Sequence, residues 1–352
     1  MELTELGWNV YFSELFKPFA QEGLSPARVV CEDRRIYTVC CETGEYQAEV
    51  AGKLAHSAHS PADFPAVGDW AALCLPTGGG RAIVHSVLPR RSAFSRKTAS
   101  VQTDEQVVAA NVDTVLLVCA LDGEFNIRRL ERYLLLSSES GAEPVIVLNK
   151  ADLCATVSGC VREVRRVAAN VQICVVSATD RLGLDTLSKY LARGRTVAFL
   201  GSSGVGKSSL INALLGMNRQ ETGSVRESDR RGKHTTTRRE LIRLPGGAMV
   251  IDSPGMRELQ MWADEESLDS AFEDIAQLAQ RCRFRDCRHM SEPGCAVQAA
   301  AEAGKLDPGR LRNYLKLSRE LSGLAKRRDI RQKLNSRKRK TELDRRLKMK
   351  ET

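Results

Sequence analysis

Aromatic residues are scarce. Three Trp, six Tyr and nine Phe make up 5% of the 352 residues. With 42% of residues hydrophobic, any core must be filled largely by aliphatic side chains. Long apolar runs are missing too: none approaches the roughly 20 residues that a membrane-spanning helix needs. The opening stretch Met1–Ala20 carries Glu2, Glu5, Glu14 and Lys17, so it lacks the apolar h-region of a secretory leader. These absences set the expectation of a cytoplasmic protein with no membrane partner. Its eleven cysteines, an odd number, are then expected to be mostly reduced thiols.

Acidic residues are outnumbered, 44 against 53 Lys and Arg, for a formal net charge of +9. The excess is local. Between Lys326 and Thr352 thirteen basic residues face four acidic ones, so this tail alone accounts for a net +9. A basic balance of this kind suits a polyanionic partner such as nucleic acid or an acidic membrane surface, and is equally compatible with a merely basic soluble enzyme.

Four regions are expected: residues 1–97, 98–262, 263–325 and the tail 326–352. The first has short β signals at Arg35–Cys41, Tyr46–Val50, Trp70–Leu75 and Ala82–Leu88, with turns at Glu42–Thr43–Gly44 and Gly78–Gly79–Gly80. A five-stranded oligonucleotide-binding barrel fits the size, as does another small β domain. Pro89–Lys97 reads as a basic linker. In the second region apolar runs at Thr114–Ala120, Val145–Leu148, Ile173–Val176, Thr196–Leu200, Leu241–Leu244 and Ala248–Ile251 alternate with helical patterns. That alternation predicts a mostly parallel α/β sheet covered on both faces.

Gly201-Ser202-Ser203-Gly204-Val205-Gly206-Lys207-Ser208 follows one of those strands and precedes a helical pattern, the context a phosphate loop requires. Its glycines let backbone N–H groups curl around phosphate oxygens. Lys207 neutralises them, and Ser208 is a Mg²⁺ ligand. Asn149-Lys150-Ala151-Asp152 follows the strand Val145–Leu148. The Asp152 carboxylate can accept both N1–H and the exocyclic amine of guanine. Adenine offers neither and would leave that carboxylate unpaired. Ser177-Ala178, after the next strand, supplies a backbone contact to the guanine oxygen. Asp252-Ser253-Pro254-Gly255 fits D-x-x-G, with Asp252 toward Mg²⁺ and the Gly255 N–H toward the γ-phosphate. A threonine of His234-Thr235-Thr236-Thr237 can complete the Mg²⁺ shell only when that phosphate is present, as an order–disorder switch.

The base-reading motifs precede the phosphate-reading ones, the reverse of the ordinary order, so the sequence reads as a circular permutation. The segment after Gly255 then leads into Cys282, Cys287, His289 and Cys295. Three thiolates and one imidazole so close together suit a tetrahedral Zn²⁺ with no open position, a structural metal.

Taken together, the β-rich start, Gln106–Asp113 (QVVAANVD), NKAD, GSSGVGKSS, GKHTTT, DSPG and the Cys-Cys-His-Cys cluster resemble the RsgA family over nearly the whole chain. These are bacterial, circularly permuted GTPases that depend on the small ribosomal subunit. The resemblance implies an N-terminal oligonucleotide-binding-like β-barrel, a central permuted α/β P-loop GTPase domain and a C-terminal α-helical zinc-binding domain. It implies GTP and GDP as ligands, Mg²⁺ with the nucleotide, one structural zinc, and the small subunit with its rRNA as partner. A monomer is expected. Ser209 joins the phosphate-binding set, Thr236 becomes the switch threonine, and Lys207, Thr236 and His234 form the catalytic set. Many GTPases carry Gln after D-x-x-G; here Met256 cannot orient water. His234 or the ribosome is left to do so, and a solvated loop residue remains the alternative for His234. Two other functions stay open: an RNA-binding assembly factor using nucleotide only as a switch, and a GTPase acting on another RNA or the large subunit.

Overall fold

The structure, a computed structural model, describes residues 2–97, 105–123, 125–216, 239–252, 265–324 and 326. Met1–Gln260 form one compact unit and Met261–Thr352 a second. The tail beyond residue 326 lies outside the described residues.

The first unit opens with helix α1 (Val10–Gln21), capped by Asn9, whose side chain accepts the Phe12 N–H. Strands β1 (Ser25–Asp33), β2 (Ile36–Cys41) and β3 (Gly44–Val50) follow, then the short α2 (Gly52–Ser57), β4 (Trp70–Cys74) and β5 (Ala82–Val87). The strands run in the order β1-β2-β3-β5-β4, and β1 pairs with β4 to close a five-stranded barrel. Alternation explains its inside: Ala27 and Val29, Tyr37 and Val39, Ala71 and Leu73 sit two apart and point to one buried cluster. The opposite face of β4 is apolar as well. Trp70 and Ala72 there bury against Phe12 and Phe16 of α1. Each of the two Phe side chains contributes about 1.5–3 kcal/mol when fully removed from water.

Pro89–Lys97 is not a linker. Its second half is strand β6 (Ala93–Lys97), paired antiparallel with β7 (Glu105–Ala110). Phe94, 2% exposed, anchors it, and Arg96 bonds Gln106. The basic side chains flanking that single buried ring hide the strand in the sequence.

The α/β core then runs β8 (Thr114–Ala120), α3 (Ile127–Ser140), β9 (Glu143–Asn149), α4 (Val157–Val167), β10 (Gln172–Val175), β11 (Thr196–Leu200), α5 (Lys207–Leu215), β12 (Arg239–Arg243) and β13 (Met249–Asp252). Strand order is β10-β9-β8-β11-β13-β12, all parallel except β12. Every residue of β8 and β11 is buried, as their unbroken apolar runs require. The core sheet does not stop at β12. That strand pairs antiparallel with β1 of the barrel, Cys31 opposite Glu240 and Glu32 opposite Arg239, so barrel and core form one eleven-stranded sheet. The Arg239–Glu32 ion pair, at 2.8 Å, lies on that seam.

The second unit is helical: α6 (Glu265–Ala271), α7 (Glu273–Ala279), α8 (Ala296–Glu302) and a helix over residues 308–324. Arg310 stacks over the Phe272 ring and pairs with Asp274 at 2.7 Å, tying that last helix to α7. No described helix is long and apolar enough to cross a membrane.

Candidate functional site

Strand β11 delivers residues 201–206 to the carboxyl edge of the sheet, where α/β folds hold ligands. Two glycines of that loop are dictated by their neighbours. A Cβ on Gly201 would meet the Val118 carbonyl at 2.6 Å. Gly206 has φ +93°, and its Cβ would meet Asn149 Nδ2 at 2.3 Å. Lys207 begins α5 and folds back across the loop, its Nζ donating to the Gly201 and Ser202 carbonyls at 2.6 Å each. Ser208 and Ser209 are half-buried in the first turn of α5, while Ser203 and Gly204 are exposed at the tip of the loop.

Asn149 ends β9 and is 1% exposed. Its Nδ2 donates to the Val205 carbonyl at 2.9 Å, and its Oδ1 accepts the Ala178 N–H at 3.1 Å. One amide therefore joins three segments that are far apart in sequence. Nearby, the Ala151 N–H donates to the Val176 carbonyl at 3.1 Å. Lys150 takes a left-handed backbone, φ +61°, and its Nζ pairs with Asp122 at 2.7 Å. Asp152 follows in the single turn Ala151–Leu153 and is exposed. Ser177 is fully buried; its Oγ accepts the Asp180 N–H. Asp252 closes β13, and because Ala198 of β11 lies opposite Ile251, it leaves the sheet at the same edge as Gly201. His234, Thr236 and Gly255 lie outside the described residues.

Some neighbours of the loop were not anticipated. Arg129 of α3 donates from Nη1 to Ser202 Oγ at 2.9 Å. Tyr133, one turn further on, also bonds Ser202, and burial raises its phenol above the ordinary range. Asp122, Phe125, Arg129, Tyr133, Lys150 and Ser203 line a cavity of about 300 Å³ beside the loop. The i,i+4 spacing of Arg129 and Tyr133 puts them on one helix face, but no sequence motif connects them to residue 202.

In the second unit the ligand atoms of Cys282, Cys287, His289 and Cys295 all lie within 4.8 Å of one another. His289 Nδ1 is 3.6 Å from Cys282 Sγ and 3.4 Å from Cys295 Sγ, and the two sulfurs are 3.9 Å apart. Tetrahedral zinc with its usual bond lengths needs ligand–ligand edges of roughly 3.5–3.8 Å, so the cluster fits that ion. Burial holds His289 below the ordinary imidazole range, which favours the neutral ring a metal needs. Burial raises the Cys282 thiol, but the N–H groups of Val297 and Ala296 outweigh it and lower the net value. Gln298 Nε2 donates to the His289 carbonyl at 2.6 Å and steadies the loop from α8.

The family model for RsgA GTPase matches residues 87–262. A small ribosomal subunit biogenesis GTPase RsgA of Opitutus terrae is 48% identical, over 94% of this chain and 92% of its own. The chain belongs to the RsgA GTPase family. Like the other RsgA proteins it is a GTPase. The RsgA of Streptomyces coelicolor is 41% identical over 96% of this chain and 91% of its own length. Among solved structures, YjeQ from Thermotoga maritima superposes with a TM-score of 0.65 at 29% identity, covering 85% of this chain and 99% of YjeQ. YloQ, a circularly permuted GTPase, shares the fold with a TM-score of 0.59 at 23% identity, over 85% of this chain and 96% of YloQ. The RsgA architecture is thus a closed five-stranded barrel, a permuted P-loop GTPase core, and a helical unit whose Cys/His cluster can hold zinc.

Proposed function

We propose that this GTPase acts in late assembly of the small ribosomal subunit, binding it through rRNA in the GTP state and leaving after hydrolysis. Relatives named as small ribosomal subunit biogenesis GTPases, alike over most of their length, support the choice of partner. The observation that carries the nucleotide reading is Asn149, which braces the phosphate loop at Val205 and the second base loop at Ala178 with one side chain.

In this reading Gly201 to Ser209 cradle the phosphates. Lys207 exchanges its two loop carbonyls for phosphate oxygens. Asp152 reads guanine, Ala178 meets its carbonyl oxygen, and Lys150, fixed by Asp122, flanks the base. Ser208, Thr236 and Asp252 would hold Mg²⁺, which supplies charge neutralisation at the β- and γ-phosphates. The Gly255 N–H senses the γ-phosphate, and His234 places the attacking water in company with groups from the ribosome. The segment that carries His234 and Thr236 leads directly into β12, whose outer edge is hydrogen-bonded to β1 of the barrel. Loss of the γ-phosphate therefore has a backbone route to the RNA-holding domain. The zinc cluster shapes the second unit, and the basic tail adds phosphate contacts. The protein works in the cytoplasm as a monomer.

The test is GTP turnover alone, with purified small subunits and with large subunits, for wild type and His234→Ala. Small subunits are expected to accelerate wild type strongly, within the roughly 10³–10⁵-fold that partner-supplied groups can give. His234→Ala is expected to lose most of that gain while still binding GTP. Equal acceleration by both subunits, or none, overturns the proposal.

A further inference from the structure

A second cavity, of about 530 Å³, opens at the amino edge of the parallel strands, the end away from residues 201–206. It lies between the N-terminal segment, β1 and the residues that lead into β8, β9 and β11. Arg28, Arg91, Arg193 and Arg195 line it, with Trp8 and Asn111 among its other walls.

Arg28 is 1% exposed and lies over the Trp70 ring, 5.3 Å from its centre. Its Nη1 donates to the Leu6 carbonyl at 2.6 Å; its Nη2 donates to the Asn111 carbonyl at 3.2 Å and to Thr196 Oγ1 at 3.1 Å. All three acceptors are neutral. Nε finds no acceptor among the described residues. Burial pushes the guanidinium pKa down to about 10, and the nearest opposing charges, Asp113 and Asp69, act only from a distance. The group is still a cation at neutral pH, and a buried cation without an anionic partner is unfavourable.

The surrounding acids do not balance the arginines. Asp113 is shared between Arg195 at 3.5 Å and Arg91 at 3.7 Å. Glu5 is shared between Arg193 and Arg243. Glu143 is one further acid in the lining. Four arginines line the cavity against Asp113 and Glu143, so positive charge is in excess there. A purely structural role for Arg28, clamping Leu6, Asn111 and Thr196, accounts for its Nη atoms. It does not account for the missing counter-charge, or for Arg91, which also lies over the Tyr11 ring, and Arg195 lining the same cavity with half their side-chain surface exposed.

We propose that this cavity is a second anion site, distinct from the GTP site, that receives a phosphoryl group. Arg28 supplies uncompensated positive charge from behind the inner wall, and Arg91 and Arg195 meet the group from the rim. The bound group tightens the clamp on Thr196, the first residue of the strand that carries the phosphate loop. The phosphoryl group can come from a small free phosphate or from the backbone of an RNA strand.

The test uses the full chain saturated with Mg²⁺ and GDP, so that the nucleotide site is filled. Inorganic phosphate is titrated at constant ionic strength and followed by calorimetry and thermal melting. Wild type is expected to bind saturably with a rise in Tm. Arg91→Gln/Arg195→Gln is expected to bind at least tenfold more weakly and to keep basal GTP turnover. Arg166→Gln, an exposed arginine on α4, is expected to match wild type. Competition by a short RNA without terminal phosphates assigns the site to an RNA backbone; lack of competition assigns it to a free phosphate. Equal binding by the double variant overturns the proposal. So does a response that never saturates, which means an adventitious ion only.

Discussion

Asn149 and Val205 are 56 residues apart in the chain and joined by a 2.9 Å hydrogen bond. That bond, with the one from Ala178 to the same side chain, fixes the separation between residues 201–206 and the segments around 149 and 178. Removing it with Asn149→Ala leaves a buried carbonyl and a buried N–H unpaired, each costing about 1–3 kcal/mol. The expected result is a lower Tm and at least tenfold weaker GDP binding, read by fluorescence titration. Wild-type affinity in this variant would show that the brace is incidental.

Gly206→Ala is expected to be more damaging than its single methyl suggests. Its φ of +93° strains any L-residue by about 1–2 kcal/mol, and the new Cβ would lie 2.3 Å from Asn149 Nδ2. Chemical denaturation should show a reduced midpoint, and nucleotide binding should be lost together with it. An unchanged midpoint with intact binding contradicts this.

Base choice is expected to rest on Asp152. Asp152→Asn exchanges an acceptor for a donor, which matches the C2 carbonyl of xanthine instead of the guanine amine. GTP binding should fall by up to roughly 10⁴-fold, the scale on which polar mismatches discriminate, while xanthosine triphosphate gains. Competition binding with the two nucleotides settles it, and an unchanged preference for GTP removes Asp152 from the base site.

One zinc per chain is expected by elemental analysis. A strong chelator, or Cys287→Ser, should loosen the second unit while the first retains GDP binding. Hydrogen exchange over residues 265–324 reads the first effect. Protons compete with the metal for the thiolates and the imidazole. Burial keeps His289 below its ordinary 6.5, so the ring itself stays neutral through that pH and resists protonation until lower. Zinc retention should therefore be flat around neutrality and fall on acidification. Full retention at low pH argues against this ligand set.

Sequence motifs were legible where neighbouring atoms leave no room for a side chain, as at Gly201 and Gly206, and where close thiol and imidazole spacing can gather four metal-ligating atoms, as at Cys282 and His289. The core strands were legible because burial on both faces leaves only apolar residues. Strand β1 was not, since Pro26, Arg28, Glu32 and Asp33 interrupt its pattern. Arg28 is buried there by long-range partners that no local window contains. The same holds for Arg129, whose bond to Ser202 spans 73 residues. Helix α1 escaped notice because its apolar face is complete only against Trp70.

The seam between β1 and β12 has a practical consequence. Excising either the barrel or the catalytic core would uncover a row of backbone donors and acceptors that its neighbour now conceals, and an uncovered strand invites another chain to pair with it. Fragments cut at this seam are expected to clump or to dimerise edge to edge, whereas a truncation that keeps residues 1–260 together leaves the row covered.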